Sequence, residues 1–219
     1  MKLSHRLFAW LLLLGLVVLP VSAGADAASP DQGLLAIKQQ WAHITYQLPK
    51  DQRDGAYAAL EKDADALIGQ YPKHAEPKVW QAIVLSTHAG VHGGLGALTM
   101  VKRARDLLQQ AQQIDPDTLH GSIYTTLGSL YYQVPGWPLG FGDKTKAREL
   151  LQRALQINPD GIDPNYFYGD FLYRNGDKDA ALAALNKALA AAPRPDQPVA
   201  DQGRREQIRA LINTITTSH

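Results

Sequence analysis

Residues 143–159 read DKTKARELLQRALQINP, and residues 177–193 read DKDAALAALNKALAAAP. Each segment follows a glycine, begins with Asp-Lys, places alanine at equivalent positions and ends on a proline. The matched positions lie 34 residues apart, as residues 143 and 177 do. A fixed period of this length is typical of paired helices that bury their apolar faces only by stacking on neighbouring pairs. The two segments therefore predict an all-α solenoid of helical hairpins.

Prolines divide the chain into further helical pairs. Four of them follow stretches rich in Ala, Leu, Gln, Lys and Arg, namely Pro72, Pro116, Pro159 and Pro193. A proline disfavours helical geometry in the residue before it and donates no backbone hydrogen bond, so each is expected to end the second helix of a pair. The chain is therefore predicted to contain about four repeats.

The fourth pair is the most clearly defined. Its helices are expected over residues 164–174 and 178–191, joined by a short Asn-Gly-Asp turn. Gly176 suits the left-handed end of one helix, and Asp177 can cap the next. Gly169, which has a counterpart in the third pair, would allow the second helix to approach the first closely.

The remaining helices are assigned from apolar periodicity. A final helix over residues 200–217 is predicted to cap the stack, with Ile208 toward the core and Arg204 toward water. The helices of the first pair are expected over residues 31–49 and 50–71. Those of the second pair are expected over residues 80–88 and 102–113, with a glycine-rich connection over residues 88–96.

An apolar insert, VPGWPLGFG over residues 134–142, separates the helices of the third pair. Insertions in solenoids fall on loops, and loops often carry binding residues. Trp137 and Phe141 could cover a ligand pocket, or they could fold back onto the solenoid. The prolines and glycines of the insert can bend the chain back, so packing of these side chains onto the solenoid is slightly favoured.

Composition excludes several classes of function. The chain has 22 Lys and Arg against 21 Asp and Glu and no long basic run, so no nucleic-acid partner is expected. It contains no Cys, which excludes disulfides, thiolate metal sites and a lipid-acceptor cysteine.

The first residues resemble an export signal. Basic residues precede the apolar run LFAWLLLLGLVVLPV and then small residues, a pattern typical of a cleaved secretory signal peptide. The apolar run is shorter than the roughly 20 residues that span a bilayer. We therefore predict a signal peptide over residues 1–25, a solenoid domain over residues 26–219, a periplasmic location and no stable membrane insertion.

No catalytic motif or cofactor site is evident, so a non-enzymatic protein is expected. His88 and His92 have a spacing that could hold zinc on one helical face, but glycines interrupt that segment and no third ligand is evident. No metal site is therefore predicted. Aspartates near the inter-repeat prolines are expected to cap helices rather than bind calcium, namely Asp115, Asp117, Asp160 and Asp163.

Two resemblances extend these expectations. Leu127-Gly128, Ala147 and Ala154, with Gly169 and Ala181 in the next repeat, look like the tetratricopeptide repeat consensus. The exported N-terminus and the 134–142 insert also resemble the T component of tripartite ATP-independent periplasmic (TRAP) transporter systems, which associates with a periplasmic solute-binding protein. This resemblance implies a protein or peptide partner, with a solute-binding protein as one candidate.

In the tetratricopeptide repeat family the first helix of each pair lines the concave surface. Carried onto this sequence, the resemblance implies partner-binding residues at Thr125, Ser129, Tyr132, Gln133, Tyr166, Asp170, Tyr173 and Arg174. Their spacing independently places each set of four on one helical face. The equivalent tyrosines, Tyr132 and Tyr173, offer wide amphipathic contact, although they could equally pack between helices.

The leading hypothesis is an interaction module that binds a partner through its concave face. The alternative is a carrier of an apolar or carboxylated small molecule, with a pocket closed by the 134–142 insert. An enzyme with unrecognised chemistry is a third and weaker reading.

Overall fold

A computed structural model describes residues 29–217. The predicted signal peptide over residues 1–25 lies outside them. The described residues form α-helices and no strand, which confirms the all-α prediction. The helices are α1 (Asp31–Tyr46), α2 (Arg53–Gln70), α3 (Ala75–His92), α4 (Gly94–Ile114), α5 (Thr118–Gln133), α6 (Lys144–Ile157), α7 (Ile162–Arg174), α8 (Lys178–Leu189) and α9 (Pro198–Thr217), with a 3-10 turn at Lys50–Gln52.

Consecutive helices pack as four antiparallel hairpins, α1 with α2, α3 with α4, α5 with α6 and α7 with α8. Local sequence explains the boundaries of the last two. Asp143 accepts hydrogen bonds from the amides of Thr145 and Lys146 and so caps α6, and Asp177 caps α8 through the Ala180 amide. Gly176 has φ +88°, the left-handed conformation expected of a residue that ends α7.

Glycines bring the paired helices together, as predicted. A Cβ on Gly169 would lie 2.8 Å from Cγ of Leu185, and a Cβ on Gly128 would lie 2.7 Å from Cγ of Leu151. Both leucines are fully buried. The missing side chains therefore leave the space that the partner helix occupies.

The connection between α3 and α4 differs from the sequence prediction. Helix α3 continues to His92, and only Gly93 separates it from α4, so the predicted loop over residues 88–96 is wrong. Gly93 makes the sharp reversal with φ +68°, which other residues adopt at a cost. The apolar residues of α3 are largely buried, and this burial outweighs the poor helix propensity of Gly90.

The last helix caps the stack, as predicted, and it also reaches the first. Helices α1, α3, α5, α7 and α9 contact one another in that order, and α9 contacts α1 again. A Cβ on Gly203 would lie 2.1 Å from Cδ1 of Tyr46, so a glycine is needed where α9 crosses α1. The inner helices thus form a closed ring.

Burial on α9 follows the prediction at Ile208, which is 0% exposed, and Ile215 is buried as well. The prediction for Arg204 is wrong, because this side chain is buried and points inward with α9. Within residues 29–217, no helix has both the length and the apolar character needed to cross a bilayer.

Candidate functional site

The ring of inner helices encloses a cavity of about 730 Å³. Its lining comes from α1, α3, α5, α7 and α9, and from the segment between α8 and α9. Ligand pockets typically measure ~300–1,000 Å³ and combine apolar walls with a few polar groups. The cavity therefore has the size of a site for a small molecule or a short peptide segment.

Tryptophans from the first two hairpins form one wall. Trp41 and Trp80 are 8% and 7% exposed, and their rings meet edge to face at 5.9 Å. The Trp41 Nε1 donates a hydrogen bond to Oγ1 of Thr87 at 3.0 Å. The buried Trp80 Nε1 has no hydrogen-bond partner among the described residues. An unpaired buried donor costs ~1–3 kcal/mol, so pairing this N–H with an acceptor would be favourable.

Hydroxyl groups of α5 form a second wall. Thr125, Thr126 and Ser129 are at least nine-tenths buried and line the cavity. The Thr125 hydroxyl donates to the Gly121 carbonyl, and the Ser129 hydroxyl donates to the Thr126 carbonyl. Because the protons of Thr125 and Ser129 are already used within the helix, their oxygens can act only as acceptors for a ligand.

The start of α5 adds a strained rim to this wall. Leu119 and His120 line the cavity and have φ +50° and +52°, the left-handed region that non-glycine residues rarely adopt. Strain of this kind is concentrated at functional sites. It therefore supports the cavity as the candidate site.

An ion network closes the far side of the cavity. Asp163 on α7 accepts hydrogen bonds from Arg204 Nε and Arg194 Nη1, each at 2.8 Å. Arg194 also donates through Nε to Asp201 at 2.7 Å. The network joins α7, the segment before α9 and α9 itself, so it holds the ring closed.

Neighbouring groups set the pKa values of the ionisable side chains in this network. Burial would raise the pKa of Asp163, but Arg204 and Arg194 outweigh it and lower that pKa. Burial would likewise lower the pKa of Arg204, but Tyr46 and Asp163 raise it. Burial also raises the pKa of the Tyr46 phenol to about 12. Near neutral pH the carboxylate and both guanidinium groups are therefore charged, and the phenol is neutral.

Some of the predicted concave-face residues line the cavity, and others lie beside it. Thr125 and Ser129 line the cavity. Tyr132 does not line it but donates a hydrogen bond to Asp170 at 2.7 Å, and Asp170 also accepts from Arg174 Nε at 2.9 Å. Burial and the Asp170 carboxylate raise the pKa of Tyr132 well above its usual value. The hydrogen bond from Tyr132 to Asp170 links α5 to α7 beside the cavity.

The other predicted residues are dispersed. Tyr166 lies under the guanidinium of Arg204, whose Cζ is 4.4 Å from the ring centroid, and so supports the cavity wall. Tyr173 is partly buried against the core, and Gln133 is exposed at the end of α5. Neither lies in the cavity.

Residues of the 134–142 insert do not line the cavity. Phe141 packs edge to face on Tyr131 at 5.3 Å and under the guanidinium of Arg105 at 4.7 Å. Trp137 is 90% exposed. The expectation of packing therefore describes Phe141, whereas Trp137 faces solvent.

Several cavity residues were missed at the sequence level. The apolar periodicity places Trp41 and Trp80 within expected helical pairs but predicts no site role for either. Asp163 was expected to cap a helix, yet it binds two arginines instead. The two tryptophans, each near the middle of the first helix of a pair, were the available signal.

Comparisons with known proteins find similarity to one repeat family. A family model described as tetratricopeptide repeat matches residues 139–201. A thermophilic TPR protein of Thermus thermophilus has a similar crystal structure, with a TM-score of 0.46 and 16% identity over 86% of this chain and 99% of the other. A search of curated proteins found no match. None of these comparisons bears on the resemblance to the TRAP T component. The family match covers α6, α7 and α8, so this part of the chain resembles tetratricopeptide repeats.

Proposed function

We propose that this protein is a non-enzymatic interaction module that binds a short, uncharged segment of a partner protein in its central cavity. Tetratricopeptide repeat proteins generally act as scaffolds for protein interaction. The cavity adds a reason to expect a short segment rather than a whole surface, because its volume of about 730 Å³ suits a few residues.

The unpaired Trp80 N–H carries the proposal. It lacks an acceptor, and the hydroxyl oxygens of Thr125 and Ser129, which line the same cavity, can still accept. An extended peptide backbone supplies both, since each residue carries one C=O and one N–H. The indole rings of Trp41 and Trp80 offer an apolar surface for one side chain of that segment.

Electrostatics favours an uncharged segment. Lys38 at the cavity edge already lies 3.4 Å from Asp196, and both arginines of the network already bind carboxylates. A charged ligand would have to lose its hydration without gaining a free counter-charge. Apolar or small polar side chains avoid that cost.

The test compares two conservative tryptophan substitutions. Trp80→Phe keeps an aromatic ring but removes the N–H, whereas Trp137→Phe makes the same change on a 90% exposed residue outside the cavity. Affinity selection from a library of uncharged hexapeptides would supply the probe, with binding measured calorimetrically. We expect Trp80→Phe to weaken binding about tenfold, the value of one hydrogen bond of ~1.4 kcal/mol, and Trp137→Phe to leave it unchanged. Equal losses, or no peptide retained by the wild type, would refute the proposal.

A small uncharged solute is the second candidate. The contact between α9 and α1 favours it, because ring closure turns a groove into a cavity of ligand size. Native mass spectrometry of the purified protein would separate the candidates. A co-purified mass that is absent from Trp80→Phe, without peptide binding, would support the solute.

We further propose that the protein is exported to the periplasm and that its partner there is a solute-binding protein. The signal-like N-terminus and the resemblance to the TRAP T component support this. Cell fractionation with N-terminal sequencing of the mature chain would test export. Recovery in the cytoplasm with residues 1–25 intact would contradict it.

A further inference from the structure

Two histidines and an aspartate converge on the face of α3 that packs against α2, away from the cavity. Asp54 lies on α2, and His88 and His92 lie one turn apart on α3. Oδ1 of Asp54 is 3.1 Å from Nε2 of His88 and 2.8 Å from Nδ1 of His92. One ligand atom from each of the three residues lies within 4.8 Å of the other two. Asp54 thus lies where sequence reasoning found no third candidate ligand.

A second carboxylate lies behind this cluster. Oε1 of Glu61 is 2.5 Å from Nδ1 of His88, and the His88 side chain is only 4% exposed. Metal-binding histidines almost always donate their other ring N–H to a carboxylate, carbonyl or water, which fixes the tautomer. Glu61 is placed to do this for Nδ1 of His88, while Nε2 on the other side of the ring faces Asp54.

The distances in this cluster also suit a cation between His88 and Asp54. Nε2 of His88 and Oδ1 of Asp54 are 3.1 Å apart, close to the separation of two donors around one tetrahedral ion. With Glu61 behind His88, two carboxylates lie near enough to offset a divalent charge.

We propose that Asp54, His88 and His92 bind a divalent zinc-class cation, with Glu61 orienting His88. Two imidazole nitrogens and one carboxylate oxygen are a common zinc donor set, which leaves the fourth tetrahedral position for water. For metal bonds of ~2.0–2.1 Å, donors of a tetrahedral site are roughly 3.3 Å apart, so the three residues need only small side-chain adjustments.

The surrounding structure accommodates these adjustments. Asp54 and His92 keep 54% and 43% of their side-chain surface exposed, so they can move, while buried His88 provides the fixed point. Gly96 at the start of α4 adds space, since a Cβ there would lie 2.8 Å from Nε2 of His92. The site would join α2 to α3, that is, the first hairpin to the second.

Calorimetric titration of the untagged full chain with Zn²⁺ tests the proposal, with Co²⁺ absorption reporting tetrahedral coordination. We expect one equivalent to bind the wild type. His92→Ala and Asp54→Asn should each weaken binding at least tenfold, and Glu61→Gln should weaken it ~10- to 100-fold through His88. His74→Ala is the matched control, because His74 is also exposed and lies beside a carboxylate, Glu76, outside the cluster.

Circular dichroism of each variant checks that the helices remain. Zn²⁺ should raise the melting temperature of the wild type and of His74→Ala but not that of His92→Ala. The proposal is overturned if the wild type shows no saturable uptake. It is also overturned if His74→Ala weakens binding as much as His92→Ala does, since the histidines would then bind zinc nonspecifically.

Discussion

Replacing Gly203 with alanine tests whether α9 closes the ring on α1. A Cβ at this position would lie 2.1 Å from Cδ1 and 2.2 Å from Cγ of Tyr46, whereas ordinary contact begins at 3.4 Å. The Tyr46 ring would have to retreat by about 1.3 Å. It cannot do so freely, because it packs edge to face on Trp41 at 5.8 Å.

Two opposing effects set the magnitude. Overpacking at a tight contact costs ~1–3 kcal/mol, while replacing a glycine inside a helix gains ~0.5–1 kcal/mol. Gly203→Ala should therefore lower the free energy of unfolding by about 1 kcal/mol. Gly69→Ala is the matched control, because Gly69 lies near the end of α2, where an added Cβ would meet no atom within 4 Å, and it should be stabilising by ~0.5 kcal/mol.

Thermal unfolding followed by circular dichroism distinguishes the two variants. For a chain of this size ~1 kcal/mol corresponds to about 2–4 °C, so the melting temperatures should differ by roughly 3–6 °C. In a Tyr46→Ala background the clash is absent, and Gly203→Ala should cost nothing further. If Gly203→Ala melts as high as Gly69→Ala, or costs as much without the Tyr46 ring, then α9 does not close tightly on α1.

Further predictions concern the ion network, the helix packing and the insert. Because its folded pKa is lowered, Asp163 contributes stability that is complete above its unfolded pKa of about 4 and is lost as pH falls through the folded value. Urea titrations from pH 7 to pH 2 should therefore show a flatter acid dependence for Asp163→Asn, together with a loss of ~2–4 kcal/mol at pH 7; an unchanged slope would contradict the ion network. Gly169→Ala should lower the urea midpoint by forcing apart α7 and Leu185, at a cost of ~1 kcal/mol, and an unchanged midpoint would show that Leu185 can yield. In the insert, Phe141→Ala should lower the melting temperature, whereas Trp137→Ala should change stability by less than ~0.5 kcal/mol; the opposite order would mean that Trp137 is the packed residue.

Residues that act locally could be predicted from the sequence. Asp177 caps a helix and Gly176 ends one because each satisfies backbone groups within a few positions of itself. Gly169 was predictable for a related reason, since its place in the repeat fixes which turn of the partner helix it meets. The repeat register thus predicts where helices begin and end and how the two helices of one hairpin pack.

The candidate site depends on contacts that the register does not describe. Thr125 and Ser129 were found because they lie on an inner helix within the clear repeats, whereas Trp80 lies in a pair whose repeat pattern is weak. Arg204 looked solvent-facing, since a charged residue on a terminal helix usually is. It is buried because Asp163 and the face of Tyr166 replace its hydration, and both lie on a different helix.

Ring closure changes how the stability of this solenoid should be understood. In an open stack each repeat contacts only its neighbours, so the terminal helices have one partner and fray first. Here α9 contacts α7, α8 and α1, so each end of the stack supports the other. The contact at Gly203 and the ion network around Asp163 therefore stabilise both ends of the stack and not only the helices that they join. Because both lie beside the cavity, the interactions that close the ring also shape the space in which a ligand would bind.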